Sequence, residues 1–552
     1  MGSVGNPAYT WSDHYIAEPK PVRVIAIGAG ISGIAFVHKV KNLENVDFIV
    51  YEKNADVGGT WLEARYPGVS CDVPAHSYTY SWVGNPSWSK VYVGAVEICE
   101  FYKRLARSYG VYEKTMFRHQ VVGAEWEDKT SQWKVTIKDL NTGKVLIDHA
   151  EVLLNLGGIL NNWKWPDIQG LHEFKGDMVH SANWNMDLEL SGKRVAVIGS
   201  GASGIQIVPA IQPVAKKVIS FNRSANWIAG EFAATVAWDG RDSVYTEEQK
   251  AEFRSDGDGF REYRRKVEHE VNARFPAFYR NSAAQKLVRN LVTESMKRRL
   301  NNDPVLTKSL IPDFPVGCRR VTPGSGYLEA LLEDNVEVVT DPIDSIKEQG
   351  IVTRDKNTNN RTVHEVDVII CATGYDTSFV PRFPIHGLNG FDLRQTWGEK
   401  GAASYMSVAV PNCPNYFLTA GPNTPISNGS LIPALELQID YALAFIKKIQ
   451  TQNLRYAVVS QAATDEFNEH KDALMEEMTW SANCTSWYKN GKADGKVIGP
   501  WPGSVTHFLE ALATPRFEDF HYEYKIGNRF QYLGNGQSSA DAKGLNLAWY
   551  VK

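Results

Sequence analysis

Gly28-Ala29-Gly30-Ile31-Ser32-Gly33 and Gly199-Ser200-Gly201-Ala202-Ser203-Gly204 carry glycine at the same first, third and sixth places. Glycine there permits a tight turn and lets backbone N–H groups approach an incoming anion. A helix that begins at such a turn offers its N-terminal partial positive charge to a pyrophosphate. What separates the two runs lies 24 residues past each first glycine, where one unit has Glu52 and the other Arg223. A carboxylate at that place accepts hydrogen bonds from a ribose diol and repels a 2′-phosphate. A guanidinium grips the phosphate through two parallel hydrogen bonds. The first unit, through Gly28, Gly30, Gly33 and Glu52, is expected to hold an adenosine ribose without a phosphate. The second, through Gly199, Gly201, Ala202, Ser203, Gly204 and Arg223, is expected to hold NADPH. The Arg223 contact is worth roughly 1.5–3 kcal/mol, or about 10- to 100-fold preference over NADH.

Two dinucleotide sites in one chain imply a relay. A nicotinamide must pass its hydride onward, and a flavin is the usual acceptor, so the first unit is expected to hold FAD. A disulfide reductase would use the same pair of sites, but it needs two redox-active cysteines close together. The six cysteines are Cys71, Cys99, Cys318, Cys371, Cys413 and Cys484, and none forms a C-x-x-C pair. Their scatter predicts neither a disulfide framework nor a metal site and fits a reduced, cytoplasmic setting. Cys71 has no neighbouring base and reads as structural.

These turns need strands and helices to hold them. The apolar run Val22–Ile27 reads as a strand leading into the first turn, with a helical pattern through Val40 and a second strand at Val46–Tyr51. The same grammar recurs at Arg194–Ile198, Ile205–Ile211 and Lys217–Phe221, an internal repeat of one βαβ unit. Charged residues at helical spacing dominate from about 240 to 300 and predict a helical insertion. A further strand is expected at residues 366–371. The formal net charge of −4 argues against a nucleic-acid partner. No stretch reaches 18 uninterrupted apolar residues, so no membrane span is expected. Residues 1–20 lack the apolar core of a signal peptide.

Between and after the turns lie Gly58-Gly59-Thr60-Trp61, Arg65-Tyr66-Pro67-Gly68 with Ser70-Cys71-Asp72, and Phe174-x-Gly176-x3-His180-x3-Trp184. At these residues the chain resembles the class B flavoprotein monooxygenases, and within them the type I Baeyer–Villiger monooxygenases. One departure is Asn185, where that family has Pro or Asp. The resemblance implies an α/β fold of two Rossmann-like dinucleotide-binding domains, for FAD and NADPH, with a helical insertion in the second. It divides the chain into residues 1–170 and 381–552 for FAD, 171–240 and 311–380 for NADPH, and 241–310 for the insertion.

The same resemblance implies roles for single residues. Ser32, Glu52, Gly59, Thr60, Trp61, Asp72, Tyr78 and Val121 match positions that bind flavin. Arg223 and Arg319 match positions around the 2′-phosphate, and Trp487 matches a tryptophan that closes over the nicotinamide cofactor. Arg320 matches the catalytic arginine, and Asp72 its partner. His180 is expected to couple the lobes during turnover. The implied reaction uses O2 and a small-molecule ketone, giving an ester or lactone through a C4a-peroxyflavin. The alternatives are oxygenation of nitrogen or sulfur, or an uncoupled NADPH oxidase that releases H2O2.

Overall fold

The computed structural model describes residues 10–230 and 244–552. The expected boundary between residues 240 and 241 therefore lies outside the described residues. Two five-stranded, all-parallel sheets form the framework. In the first, Val22–Ile27 lies between Val46–Tyr51 and Val152–Asn155, with Thr115–Met116 and Tyr416–Leu418 at the edges. In the second, Arg194–Ile198 lies between Lys217–Phe221 and Val368–Cys371, with Val336–Val339 and Asp177–His180 outermost. Continuous Val/Ile runs suit strands that are covered on both faces. Val24, Ile25 and Ala26, like Val195, Ala196 and Val197, are fully buried.

The duplicated unit is folded alike in both places. Gly28 and Gly199 adopt φ of +102° and +112°, a region that favours glycine. Each turn leads into a helix, Ile31–Lys39 and Ala202–Ile211. The sixth glycine of each run packs helix onto turn. A Cβ on Gly33 would lie 2.2 Å from the Gly28 carbonyl oxygen, and one on Gly204 would lie 2.0 Å from that of Gly199. Each turn is also sealed by the chain leaving a strand that pairs with the central one, Val152–Asn155 in the first sheet and Val368–Cys371 in the second. A Cβ on Gly28 would meet the Leu156 carbonyl oxygen at 3.0 Å, and one on Gly199 that of Ala372 at 2.6 Å. Leu156-Gly157-Gly158 is thus the counterpart of Ala372-Thr373-Gly374.

The charged stretch after residue 243 is helical, as its pattern predicts, over Glu247–Ser255, Gly257–Asn272, Ala283–Arg299 and Pro304–Leu310. The strand expected at 366–371 begins two residues later, at Val368. Asp367 instead accepts hydrogen bonds from the Arg194 backbone and guanidinium at 2.8–3.2 Å, and the Val366 N–H donates to Gln349.

One expectation is overturned. Cys318 and Cys484 form a disulfide across a sequence separation of 166, with Cα atoms 6.4 Å apart. Spacing along the chain cannot reveal such a pair, because tertiary packing of the 314–320 loop on the 474–498 segment brings it together. Cys71, Cys99, Cys371 and Cys413 are free and buried. Among the described residues no helix is long and apolar enough to cross a membrane.

Candidate active site

Both glycine turns open on a cavity of about 1220 Å³ between the sheets. On the first side, neither a capping side chain nor an acidic residue occupies the first turn of helix Ile31–Lys39. The same is true of Ala202–Ile211 on the second side. Helix N–H groups left this way suit an anion. Glu52 is 4% exposed and accepts from the Ala29 and Asn54 N–H groups at 2.8 and 2.7 Å. Burial nevertheless raises its pKa, with those hydrogen bonds working the other way. A carboxylate has lone pairs to spare beyond two hydrogen bonds, so a ribose diol fits beside them.

The segment between the turns folds over the first of them. Gly59 has φ of +53°, and a Cβ on it would lie 3.1 Å from the Gly30 Cα. Thr60 and Trp61 begin a single helical turn, and the Trp61 indole donates to the Tyr78 hydroxyl at 3.2 Å. Ser32 accepts from Thr419 at 3.0 Å, which ties the first turn to the last third of the chain. Val121 reaches the same cavity from an antiparallel strand, His119–Glu127. Farther along, the Tyr66 hydroxyl donates to Gln206 at 2.8 Å, and Gln206 donates to Ser70 at 3.0–3.2 Å. Those bonds fasten the Arg65–Asp72 stretch to the helix of the second turn. Gly68 is obligatory at this crossing, because a Cβ would lie 2.5 Å from the Gln206 carbonyl oxygen.

On the second side, Arg223 is exposed on the cavity wall. Asn226 donates to the Ser200 carbonyl at 2.6 Å, fixing the Arg223 segment against its glycine turn. Arg319 donates to Ala225 and Asn226 at 3.1 and 2.9 Å, and its guanidinium lies 5.0 Å from the Phe314 ring. Burial lowers the Arg319 pKa, and the positive charge of Arg223 lowers it further. The two guanidiniums place two positive charges beside the second turn. Arg319 itself stands behind the cavity wall.

Arg320 occupies the centre. Its Nε and Nη2 donate to the two Asp72 carboxylate oxygens at 2.7 and 2.9 Å, and Nη1 donates to the Ile426 carbonyl. Burial works against its charge, but Asp72 more than offsets this and raises the pKa. The guanidinium stays protonated. Each contact comes from a different stretch: Asp72 from the segment after the first turn, Arg320 from beyond the helical insertion, Ile426 from the last third. Tyr488 is fully buried beside Arg320, and burial pushes its hydroxyl up to about 12. Trp487, next to it, lines the cavity. Neither the Ile426 carbonyl nor Tyr488 was assigned a role from sequence. A backbone acceptor carries no residue signal, and Tyr488 stood out only as a neighbour of Trp487.

Phe174, Gly176 and His180 lie away from the reacting centre. His180 is fully buried, stacks on Trp163 with ring centroids 4.7 Å apart, and contacts Thr373 Oγ1 at 3.1 Å through Nε2. Its Nδ1 accepts from the Ala182 N–H at 3.1 Å, which leaves the proton on Nε2. Trp163 and Thr373 belong to the two chain crossings between sheets, so His180 is placed to join them. Gly176 leaves no room for a side chain: a Cβ would lie 2.4 Å from the Asp367 carbonyl oxygen. Cys71 is buried, which raises its thiol pKa and leaves it inert as a nucleophile.

Residues 21–239 match the family model described as flavin-binding monooxygenase-like. The chain is 39% identical over 542 residues to the FAD-binding monooxygenase tazF of Aspergillus terreus, covering 97% of this chain and 95% of that one. It is 31% identical over 494 residues to a Baeyer–Villiger monooxygenase of Pseudomonas aeruginosa, covering 89% and 90%. In three dimensions it matches cyclohexanone monooxygenase from Rhodococcus sp. Phi1 bound to NADP+ with a TM-score of 0.78. That match has 25% identity and covers 92% of this chain and all of the other. With two glycine turns facing one cavity and relatives of this identity along nearly its whole length, the chain belongs to the type I Baeyer–Villiger family of class B flavoprotein monooxygenases.

Proposed function

We propose that this enzyme uses NADPH and O2 to insert one oxygen atom beside the carbonyl of a small-molecule ketone, giving an ester or lactone. The observation that carries this reading is the Arg320–Asp72 pair, held where the walls of both nucleotide sites meet. FAD would lie along Gly28, Gly30, Glu52, Gly59, Thr60 and Trp61, and NADPH along Gly199, Gly201, Ala202, Ser203 and Arg223. When bound and reduced, the flavin supplies the oxygen-activating chemistry. The chain's own residues do the rest. Arg320 presents a cation that does not deprotonate to negative charge developing on the substrate oxygen. Asp72 holds the Nε–Nη2 edge of the guanidinium and the Ile426 carbonyl takes Nη1, so no reorganisation is needed when that charge forms. Arg223 grips the 2′-phosphate from the cavity wall, and Arg319 assists from behind it with a second positive charge. Trp487 and the buried Tyr488 keep water from the centre, and His180 keeps the two chain crossings in register as the cofactor shifts.

In the same reading, residues 1–170 and 381–552 bind FAD, 171–240 and 311–380 bind NADPH, and 241–310 form the insertion. A cytoplasmic location belongs to the same reading. The test is product analysis of the flavin-loaded enzyme with NADPH and a panel of cyclic and aryl ketones under 18O2. One labelled oxygen in an ester or lactone is the expected result. Formation of H2O2 alone, or oxygenation restricted to sulfides and amines, contradicts the proposal.

A further inference from the structure

The disulfide between Cys318 and Cys484 stands at the junction of two functional loops. Arg319 and Arg320 follow Cys318 directly, and Trp487 and Tyr488 lie three and four residues beyond Cys484. A chain spans at most about 3.6 Å per residue, so the Trp487 backbone stays within roughly 11 Å of the Cys484 Cα, and the bond holds that Cα 6.4 Å from the Cα of Cys318. The two sulfurs sit in a small apolar cluster with Ala482 and Phe314. Phe314 is also the ring against which the Arg319 guanidinium rests. On the other loop, Lys489 is 1% exposed, and its ammonium donates to the Ala482 carbonyl at 2.6 Å and to that of Ala493 at 2.5 Å. The segment around Trp487 is thereby folded onto itself as one unit. Its remaining ties to the helical insertion include Arg280, which donates to Ser481 at 2.5 Å and to the Met478 carbonyl.

We infer that the Cys318–Cys484 disulfide is a positioning strap that keeps Trp487 over the nicotinamide cofactor by joining its loop covalently to the Arg319–Arg320 loop. The inference rests on the NADPH and Trp487 assignments proposed above. Without the bond, the same noncovalent contacts must be made by two independently moving loops. The effective concentration of each loop for the other then falls. The strap binds no substrate and takes no part in hydride delivery. Its loss therefore affects retention of the oxidised cofactor and exclusion of water, not the encounter with NADPH in excess.

The test uses the full-length, flavin-loaded enzyme. Alkylation after denaturation is expected to modify four cysteines without prior reduction and six with it. Six without reduction overturns the strap outright. In Cys318→Ser/Cys484→Ser, the dissociation constant for NADP+ should rise roughly 10- to 100-fold. The fraction of NADPH lost as H2O2 should rise with it. Flavin content and anaerobic reduction at saturating NADPH should stay within twofold of the parent. Unchanged NADP+ affinity and H2O2 fraction in the double variant overturn the inference. Failure of the parent itself to bind NADP+ defeats the underlying site assignment instead, while the thiol count still reports on the bond. Should the double variant not fold, the folded parent reduced with a phosphine replaces it. NADP+ retention is then expected to fall on reduction and recover on reoxidation, and constancy through both steps counts against the strap.

Discussion

At the scale of single residues, the proposed choice of ribose at each turn rests on the contrast between Glu52 and Arg223. Arg223→Ala should raise the KM for NADPH about 10- to 100-fold and leave that for NADH nearly unchanged, as steady-state kinetics with both cofactors will show. An equal effect on the two removes the 2′-phosphate assignment. This contrast was legible in sequence because the internal repeat supplies its own alignment. So were Arg223, Arg320 and Asp72 as residues. Their geometry was not. No pattern in the chain shows that one edge of Arg320 meets Asp72 through two hydrogen bonds, or that Arg223 lines the cavity while Arg319 does not.

Among the elements, the two turns are built alike but serve different cofactors, and they should fail separately. Gly204→Ala drives a Cβ to 2.0 Å from the Gly199 carbonyl oxygen and must deform the second turn. Overpacking of this kind costs about 1–3 kcal/mol, so NADPH affinity should drop roughly 10-fold while flavin content, read from the visible spectrum, is preserved. Gly33→Ala should do the reverse. The insertion supplies a second prediction at this scale. Its helices and Tyr245 surround His76, whose ring meets the edges of Tyr245, Phe253, Phe260 and Tyr263 at centroid distances of 5.1–5.5 Å. His76 is 1% exposed, and neither ring nitrogen has a hydrogen-bond partner.

Burial, aided by Arg264, lowers the His76 pKa to about 3, and burial alone lowers that of His180 to about 4. Both are neutral in the folded chain, whereas the unfolded chain takes up their protons below the ordinary value of about 6.5. Their contribution to stability is complete above pH 6.5 and is lost as pH falls from there toward 4. His76→Phe keeps the apolar cage and removes one of these protons. Between pH 6.5 and 5 the loss of stability should shrink by roughly 1–2 kcal/mol, measured from urea midpoints. An unchanged pH slope contradicts the buried, neutral His76. The helices themselves were legible from charge and periodicity. The cage was not, because His76 lies far along the chain from the stretch that supplies Tyr245, Phe253, Phe260 and Tyr263.

Over the whole molecule, the existence of two Rossmann-like sheets follows from the repeated strand–turn–helix pattern, while their five-strand orders come from the structure. The closing contacts do not follow from that pattern, since they join stretches 106 to 387 residues apart. Ile426 on Arg320, Thr419 on Ser32 and Cys318 on Cys484 are all of this kind. The central claim is a division of labour: the duplicated turns deliver reducing power, and the Asp72-held cation between them makes oxygen insertion possible. Stopped-flow reduction by NADPH, paired with ester yield from the same enzyme batch, tests it most directly in Arg320→Ala. Anaerobic flavin reduction should persist in that variant, while ester formation falls by about 100- to 1,000-fold, the usual consequence of deleting a preorganised charge. Ester produced at the parent rate, or reduction and ester formation lost in equal measure, would contradict it.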